Sequence, residues 1–271
     1  VISFLAVLGA SQDAVLLDNP RPGKDVLRKL SEHGITHLLG DKALTHNGEE
    51  FSLQFHRITD IVSTFQAGDA AVQQPASTSH IYPWDESARL IDNGYPAADF
   101  YTHCLRLQAW YAQQGFITGQ DAVLIFKSHS LFTCLRNQLI ALLSGASCHI
   151  YKKDPFDVTA VSALIEKEGI SFCECTARQL YALIEYNENT LFKKLKSIRT
   201  LFVNNGIIIN KGALEKWLDS PFCQCRIINV YRNDSLEGLL LFHCISGKDL
   251  RHPGRIPAGK SLPGFEACVV D

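Results

Sequence analysis

A chain of 271 residues with 46% hydrophobic and 20% charged side chains can bury a complete core, as one large domain or two unequal ones, which excludes the disordered and low-complexity classes. Its net charge of −2, spread over both signs, offers no basic stripe for a phosphate backbone, so nucleic acid is not expected as a partner. Nine cysteines without framework spacing suit a reducing compartment, the cytoplasm by expectation, and no run approaches the roughly 20 apolar residues of a membrane span.

The opening VISFLAVLGA reads as a core helix. Residues 22–33 carry Val26, Leu27 and Leu30 at helical spacing, Gly34 closes that helix, and Ile35-Thr36-His37-Leu38-Leu39 reads as a short strand. HNGEEFSLQFHRITDIV is expected to form a hairpin or an irregular edge, and GDAAVQQPASTS a polar loop. After Tyr95-Pro96 a helix is predicted through Phe100, Leu105, Leu107, Trp110 and Tyr111 to near Gly115, and Asp121 leads into the buried strand AVLIFK. The alternation then repeats, with helices over 131–143, 158–167, 177–185 and 211–218 and strands over 148–151, 170–173, 200–203 and 226–230.

Helices alternating with short β-branched runs predict an α/β fold of mainly parallel sheets covered by helices. Beyond Tyr231, LEGLLLFHCIS and FEACVVD read as strands of a small antiparallel β portion at the C-terminal end. The joining segment KDLRHPGRIPAGKSLPG is dense in glycine and proline, which argues against a helix there.

Several segments in this order resemble the large N-terminal subdomain of the adenylate-forming ligases, the family of acyl-CoA synthetases, luciferases and peptide-synthetase adenylation domains. FLAVLGASQDAVLLDNPRPGKDVLRKL is similar to the family's early helix, strand and loop, and ALLSGASCHIY to its central GALLSGATLVI-type segment. ALIEKEGISFCECTARQLYALIE resembles the next unit, which ends in a T-P-type turn, and IRTLFVNNGIIINKGALEKWLD the strand, adenine-side loop and helix that follow. INVY with the later GRIPAGKSLPGFEACVVD resembles the N-x-Y-G-x-T-E region and the strand pair after it.

The resemblance implies a protein that activates a carboxylic acid with ATP to an acyl-AMP on the way to a thioester. ATP and Mg²⁺ are its cofactors if it is active, with none otherwise; its partners are a small carboxylic acid and CoA or a carrier protein. Carried onto this chain, the motifs put Tyr231 on adenine, Asn229 beside it, Asn205 and Gly206 in the adenine-side loop, Asp234 at the hydroxyl position near phosphate and Glu237 on the metal. His129 follows AVLIFK at the carboxyl end of its strand, where open sheets place ligands, and is the expected acid-pocket residue. The implied division is an α/β core over residues 1–230 and a β-rich end of the same subdomain over 231–271, with the C-terminal lid subdomain absent.

Two departures from the pattern lead to the expectation that activity is impaired or incomplete in this chain. The family's phosphate loop needs glycine for close approach of backbone N–H groups to an anion. The corresponding interval has Ser77, Thr78 and Ser79, no glycine before Gly94, no lysine, and the bulky or acidic Pro83, Trp84, Asp85 and Glu86. After Tyr231, Arg232 stands for glycine, Asp234 for threonine and Ser235 for glutamate, so Glu237 reaches the metal position only if the turn holds two extra residues. The alternative reading is a non-catalytic adenylation-like domain acting as a scaffold or as a carrier-protein or partner-binding module.

Other constellations weigh less. Cys173-x-Cys175 and Cys223-x-Cys225 bring four thiols, but the spacing misses the usual zinc pattern, and small apolar side chains on one strand face explain them. Lys152-Lys153 and the lysines at 193, 194 and 196 read as solvated helix ends, and Asn204-Asn205-Gly206 is also explained by a plain turn. No G-x-S-x-G, G-x-G-x-x-G or P-loop motif is present.

Overall fold

The apolar runs and amphipathic stretches of the sequence become alternating strands and helices in the computed structural model, which describes residues 14–16, 28, 31–32, 37–40, 54–57, 80–83, 95–126, 131–204, 211–233, 238–263 and 265–268. The chain divides into two units, Val1–Thr102 and His103–Asp271.

In the first unit, β1 (Ala14–Leu16) pairs in parallel with β4 (His80–Pro83), which pairs antiparallel with β5 (Tyr95–Pro96). Residues 28, 31 and 32 are helical, within the helix predicted over 22–33. The strand β2 (His37–Gly40) pairs in parallel with β3 (Gln54–Arg57), so QFHR is partnered by β2, and the rest of the segment expected to form a hairpin or an irregular edge lies outside the described residues. The predicted helix over 1–10 and the polar loop over 68–79 lie outside the described residues.

The helix α1 (Ala97–Gln114) leads into the second unit, whose elements follow the predicted order. They are β6 (Ala122–Phe126), α2 (Leu131–Leu143), β7 (Ser147–Tyr151), α3 (Val158–Glu168), β8 (Phe172–Thr176), α4 (Ala177–Asn187), β9 (Thr200–Asn204), α5 (Lys211–Leu218), β10 (Arg226–Asn233), β11 (Gly238–Cys244), α6 (Gly247–Arg251) and β12 (Lys260–Ser261). The sheet has seven strands in the order β12-β11-β10-β9-β8-β6-β7. Strands β7, β6, β8, β9 and β10 run parallel, and β11 and β12 add the antiparallel end.

Local chemistry explains the helix boundaries. Asp157 caps α3 by accepting from the Ala160 N–H, and Gly169 closes it in the left-handed conformation at φ 61°. Thr176 and Gln179 form a reciprocal capping box at the start of α4.

The period-2 alternation along each strand divides the core between two faces. Leu124 and Phe126, Cys173 and Cys175, Leu201 and Val203, and Ile227 pack with α3, α4 and α5 through Val161, Ile165, Leu180, Leu183, Leu214 and Trp217. Val123 and Ile125, Phe172, Phe202, and Ile228 and Val230 pack with α1 and α2 through Leu107, Trp110, Tyr111, Cys134 and Ile140. At the amino ends of the strands, buried Asp121 accepts from Ser171 (2.5 Å), from Thr118 (2.7 and 2.8 Å) and from Arg199. Burial alone would raise the Asp121 pKa, but these donors outweigh it and hold the carboxyl below its usual range.

Two readings of the C-terminal end are corrected. KDLR, inside the segment expected to be helix-free, forms most of α6, because Ser246 and Asp249 make a capping box and the glycines and prolines fall after the helix. The last strand among the described residues is Lys260–Ser261, paired with Phe242 and Leu241, and residues 265–268 of FEACVVD carry no strand. Gly259 makes that edge possible: its φ is +99°, and a Cβ there would lie 1.8 Å from the Phe242 carbonyl oxygen. Among the described residues no helix is long and apolar enough to cross a membrane.

Candidate functional site

Open parallel sheets bind ligands beyond the carboxyl ends of their strands. In the second unit those ends include Phe126 of β6, Thr176 of β8, Asn204 of β9 and the Val230–Tyr231 step of β10. The register sets Thr176 beside Asn204 and Asn204 beside Val230, so β8 and β9 end together while β10 runs on to Asn233 beside β11.

On the face covered by α1 and α2, the packing changes character along the strands. Its middle is aromatic, with the rings of Trp110, Tyr111, Phe116, Phe172 and Phe202 meeting at centroid distances of 5.2–6.3 Å. Two residues further toward the carboxyl ends, Phe172 is followed by Glu174 and Phe202 by Asn204. The apolar face there becomes a buried polar layer.

Glu174 organises that layer from β8. Its Oε2 accepts from Arg136 Nη2 at 2.6 Å and from Asn137 Nδ2 at 2.9 Å, both on α2, and its Oε1 accepts from Asn204 Nδ2 at 2.5 Å. The Asn137 carbonyl in turn accepts from Arg136 Nε and Nη2 at 3.3 and 3.2 Å. Arg136 and Glu174 are each 1% exposed, and Asn137 and Asn204 4%. Ion pairs this deep are costly to assemble, and hydrophobic residues of similar volume often serve stability as well. Burial works against the Arg136 cation, yet the adjacent Glu174 charge outweighs it and raises the Arg136 pKa further, so the guanidinium keeps its charge.

Buried polar atoms without a hydrogen-bond partner on this face include Asn204 Oδ1, Tyr111 Oη and His103 Nε2, with Thr200 Oγ1 at the amino end of β9. Tyr111 and His103 lie within electrostatic range of Arg136. Burial, then the positive charges of Arg136 and Arg106, draw the His103 pKa down to about 4, so the imidazole is neutral near pH 7. Burial also pushes the Tyr111 phenol well above its usual range and the neighbouring Cys104 thiol up to about 12. Buried orphan atoms are uncommon in folded proteins, and Asn204 Oδ1, beside an ion pair at the carboxyl end of β9, marks a functional candidate.

Tyr231 and Asn229 are the expected site residues within the described structure. Tyr231, 49% exposed, is the first residue of β10 past its pairing with β9, where a bulge shifts the register against β11 before Arg232. Asn229 is half-buried, and its amide donates to the Pro257 carbonyl at 3.0 Å. Lys211, the first residue of α5, donates to the carbonyls of Asp249, His252 and Gly254 at 2.7, 2.7 and 2.6 Å. Lys211 and Asn229 thus fasten the strap between α6 and β12 at two points. His129, Asn205, Gly206, Asp234 and Glu237 lie outside the described residues, as does most of the phosphate-loop interval.

Arg136, Asn137 and Glu174 were not singled out by sequence reasoning, although a signal exists. A glutamate in the buried strand FCECT and an Arg-Asn pair in the apolar helix LFTCLRNQLIALL are each improbable unless they meet. Asn204, read as part of a turn, is the last residue of β9. The thiols of Cys173 and Cys175 belong to the α3–α4 core, with Cys223 and Cys225 packed against it. The Cys175 neighbour and burial hold the Cys173 thiol well above its ordinary pKa, as befits core side chains. Among the described residues no group of three or more His, Cys, Asp or Glu is placed to hold a metal ion.

Comparison with known proteins adds three findings. The sequence profile described as AMP-binding enzyme matches residues 97–271. A polyketide synthase-nonribosomal peptide synthetase of Aspergillus clavatus is 24% identical over 161 residues, which is 58% of this chain and 4% of that protein. The fold is shared with o-succinylbenzoate coenzyme A synthetase (MenE) of Bacillus subtilis in complex with AMP, at TM-score 0.67 and 18% identity over 93% of this chain and 49% of that one. It is also shared with the N-terminal subdomain of Klebsiella oxytoca NpsA in complex with 3-hydroxybenzoyl-AMSN, at TM-score 0.65 and 14% identity over 89% of this chain and 59% of that one. The chain therefore spans about half the length of these solved relatives and a small part of the curated one.

Proposed function

The chain belongs to the AMP-binding enzyme family, and from that premise we propose that it supplies the nucleotide- and acid-facing part of an adenylate-forming ligase. The reaction would join ATP and a small carboxylic acid into an acyl-AMP, with CoA or a carrier-protein thiol accepting the acyl group. The observation that carries the reading is Tyr231, an aromatic ring half exposed at the carboxyl edge of the parallel sheet, where a flat adenine finds both a face to stack on and open solvent to enter from. Asn229, Asn205, Gly206 and Asp234 would complete the nucleotide side, Glu237 would hold Mg²⁺, and His129 would face the acid. When bound, Mg²⁺ supplies charge neutralisation at the phosphates.

Within this reading residues 1–230 serve as the α/β core of the large subdomain and 231–271 as its β-rich end. The cytoplasm is the proposed compartment, on the strength of nine free cysteines.

A second reading, a non-catalytic scaffold or carrier-binding domain, is favoured by one specific observation. Arg232, Asp234 and Ser235 follow Tyr231 where the family pattern has glycine, threonine and glutamate. Mg·ATP distinguishes the two. A ligand at 100 times its Kd adds about 2.7 kcal/mol of stability, so thermal unfolding with saturating Mg·ATP should move upward by several degrees. Tyr231→Ala should abolish most of the shift and Tyr231→Phe should keep it. A folded protein that shows no shift with millimolar Mg·ATP, alone or with a panel of acids, rules out the ligase reading and leaves the scaffold.

A further inference from the structure

The polar layer at the carboxyl ends of β8 and β9 carries information about the acid, on the premise of the ligase reading above. Glu174 Oε1 is a carboxylate oxygen and can only accept, so the Asn204 side chain must turn its Nδ2 toward it. That leaves Asn204 Oδ1 pointing the other way, buried and without a donor, on the last residue of β9. The amide cannot flip to relieve this, because the reversed orientation would set two oxygens against each other. Among the described residues nothing donates to this acceptor, and a donor from outside the protein, a water or a ligand group, would complete it.

The charge balance of the layer restricts what that donor can be. Arg136 and Glu174 cancel, held together at 2.6 Å. His103 and Tyr111 are neutral near pH 7, so among the described residues the layer has no unspent negative charge to balance a cation. An ammonium group placed against Asn204 Oδ1 would be a buried charge without a counter-ion, whereas a hydroxyl or uncharged N–H would satisfy the acceptor at no such cost.

We propose that Asn204 Oδ1 selects the substrate: the acid activated by this protein carries an uncharged hydrogen-bond donor on its acyl part, as in a hydroxy acid, rather than being a plain hydrocarbon acid or an amino acid with a free ammonium. Glu174 is a positioning residue in this scheme, since it touches Asn204 and orients its amide.

The test is calorimetric binding to the full chain of non-hydrolysable acyl-sulfamoyl adenosines made in matched sets: hexanoyl, its terminal hydroxyl analogue and its terminal amino analogue, and benzoyl with its ring-hydroxylated isomers. AMP alone reports the nucleotide side. At least one hydroxylated member should bind about tenfold or more tightly than its hydrocarbon twin, and the amino member no more tightly than the hydrocarbon. Asn204→Leu should erase the hydroxyl preference while AMP affinity stays within about threefold. Equal binding within every wild-type pair, or preference for the amino member, overturns the selection with the nucleotide reading intact if AMP still binds. Failure of AMP and every conjugate to bind overturns both. If Asn204→Leu does not fold, the wild-type pairs alone decide.

Discussion

Replacing Glu174 by glutamine removes one negative charge and almost no volume, and the structure says what that should cost. The Arg136 guanidinium, 1% exposed, loses the carboxylate 2.6 Å from its Nη2, and the new amide nitrogen must face an N–H of Arg136, Asn137 or Asn204 that the carboxylate now satisfies. Breaking a buried ion pair on one side typically costs 3–5 kcal/mol, because the surviving charge is left uncompensated. We take about 3 kcal/mol, since the amide oxygen keeps one acceptor.

With a urea dependence of about 2 kcal/mol per molar, the unfolding midpoint should fall by about 1.5 M at unchanged slope. The double variant Arg136→Met with Glu174→Leu should lose less than Glu174→Gln alone, because no charge is left buried and two apolar side chains fill the space. Chemical denaturation followed by tryptophan fluorescence measures all of these. A loss below about 1 kcal/mol for Glu174→Gln, or a double variant worse than the single, would refute the account of this layer as a closed ion pair.

Two further outcomes concern pH and the strap. The folded protein holds the His103 pKa at about 4 against 6.5 in an open chain, so below pH 6.5 the unfolded state takes up a proton that the folded state refuses. Stability from this site is therefore full above 6.5 and lost progressively between 6.5 and about 4, by an amount on the order of 3 kcal/mol. Urea midpoints measured across that interval should slope for the wild type and flatten for His103→Leu; parallel slopes would count against neutral burial of the imidazole. Lys211→Met removes three hydrogen bonds to carbonyls at a half-buried position and should cost about 1 kcal/mol, with faster amide exchange confined to the 249–258 strap. Unchanged exchange there would show that other contacts hold the strap.

The helix-strand alternation from Ala97 to Asn233 was legible because its side chains repeat at two distinct periods, and both signals are local. Segments such as LFTCLRNQLIALL and KGALEKWL announce their own length, and Asp157, Thr176 and Gly169 announce where helices begin and end. The C-terminal end was less legible. The glycines and prolines of HPGRIPAG masked the four residues before them, and a capping box of two residues was enough to start α6. Strand β12 is two residues long and exists because Gly259 lets the chain meet Phe242, a contact with no local signature.

For the site, local pattern specifies the scaffold: a parallel sheet with β8 and β9 ending side by side, and an aromatic residue, Tyr231, one step past the last core position of β10. Those follow from periodicity and from order along the chain. The partnership of Arg136 and Asn137 with Glu174, 37 and 38 residues away, and of Glu174 with Asn204, 30 residues further on, was decided only in the tertiary structure. The physical reason is that a charge becomes tolerable in a core only when its counter-charge arrives from another element, and which elements meet is set by strand order and register rather than by any property of the segments taken singly.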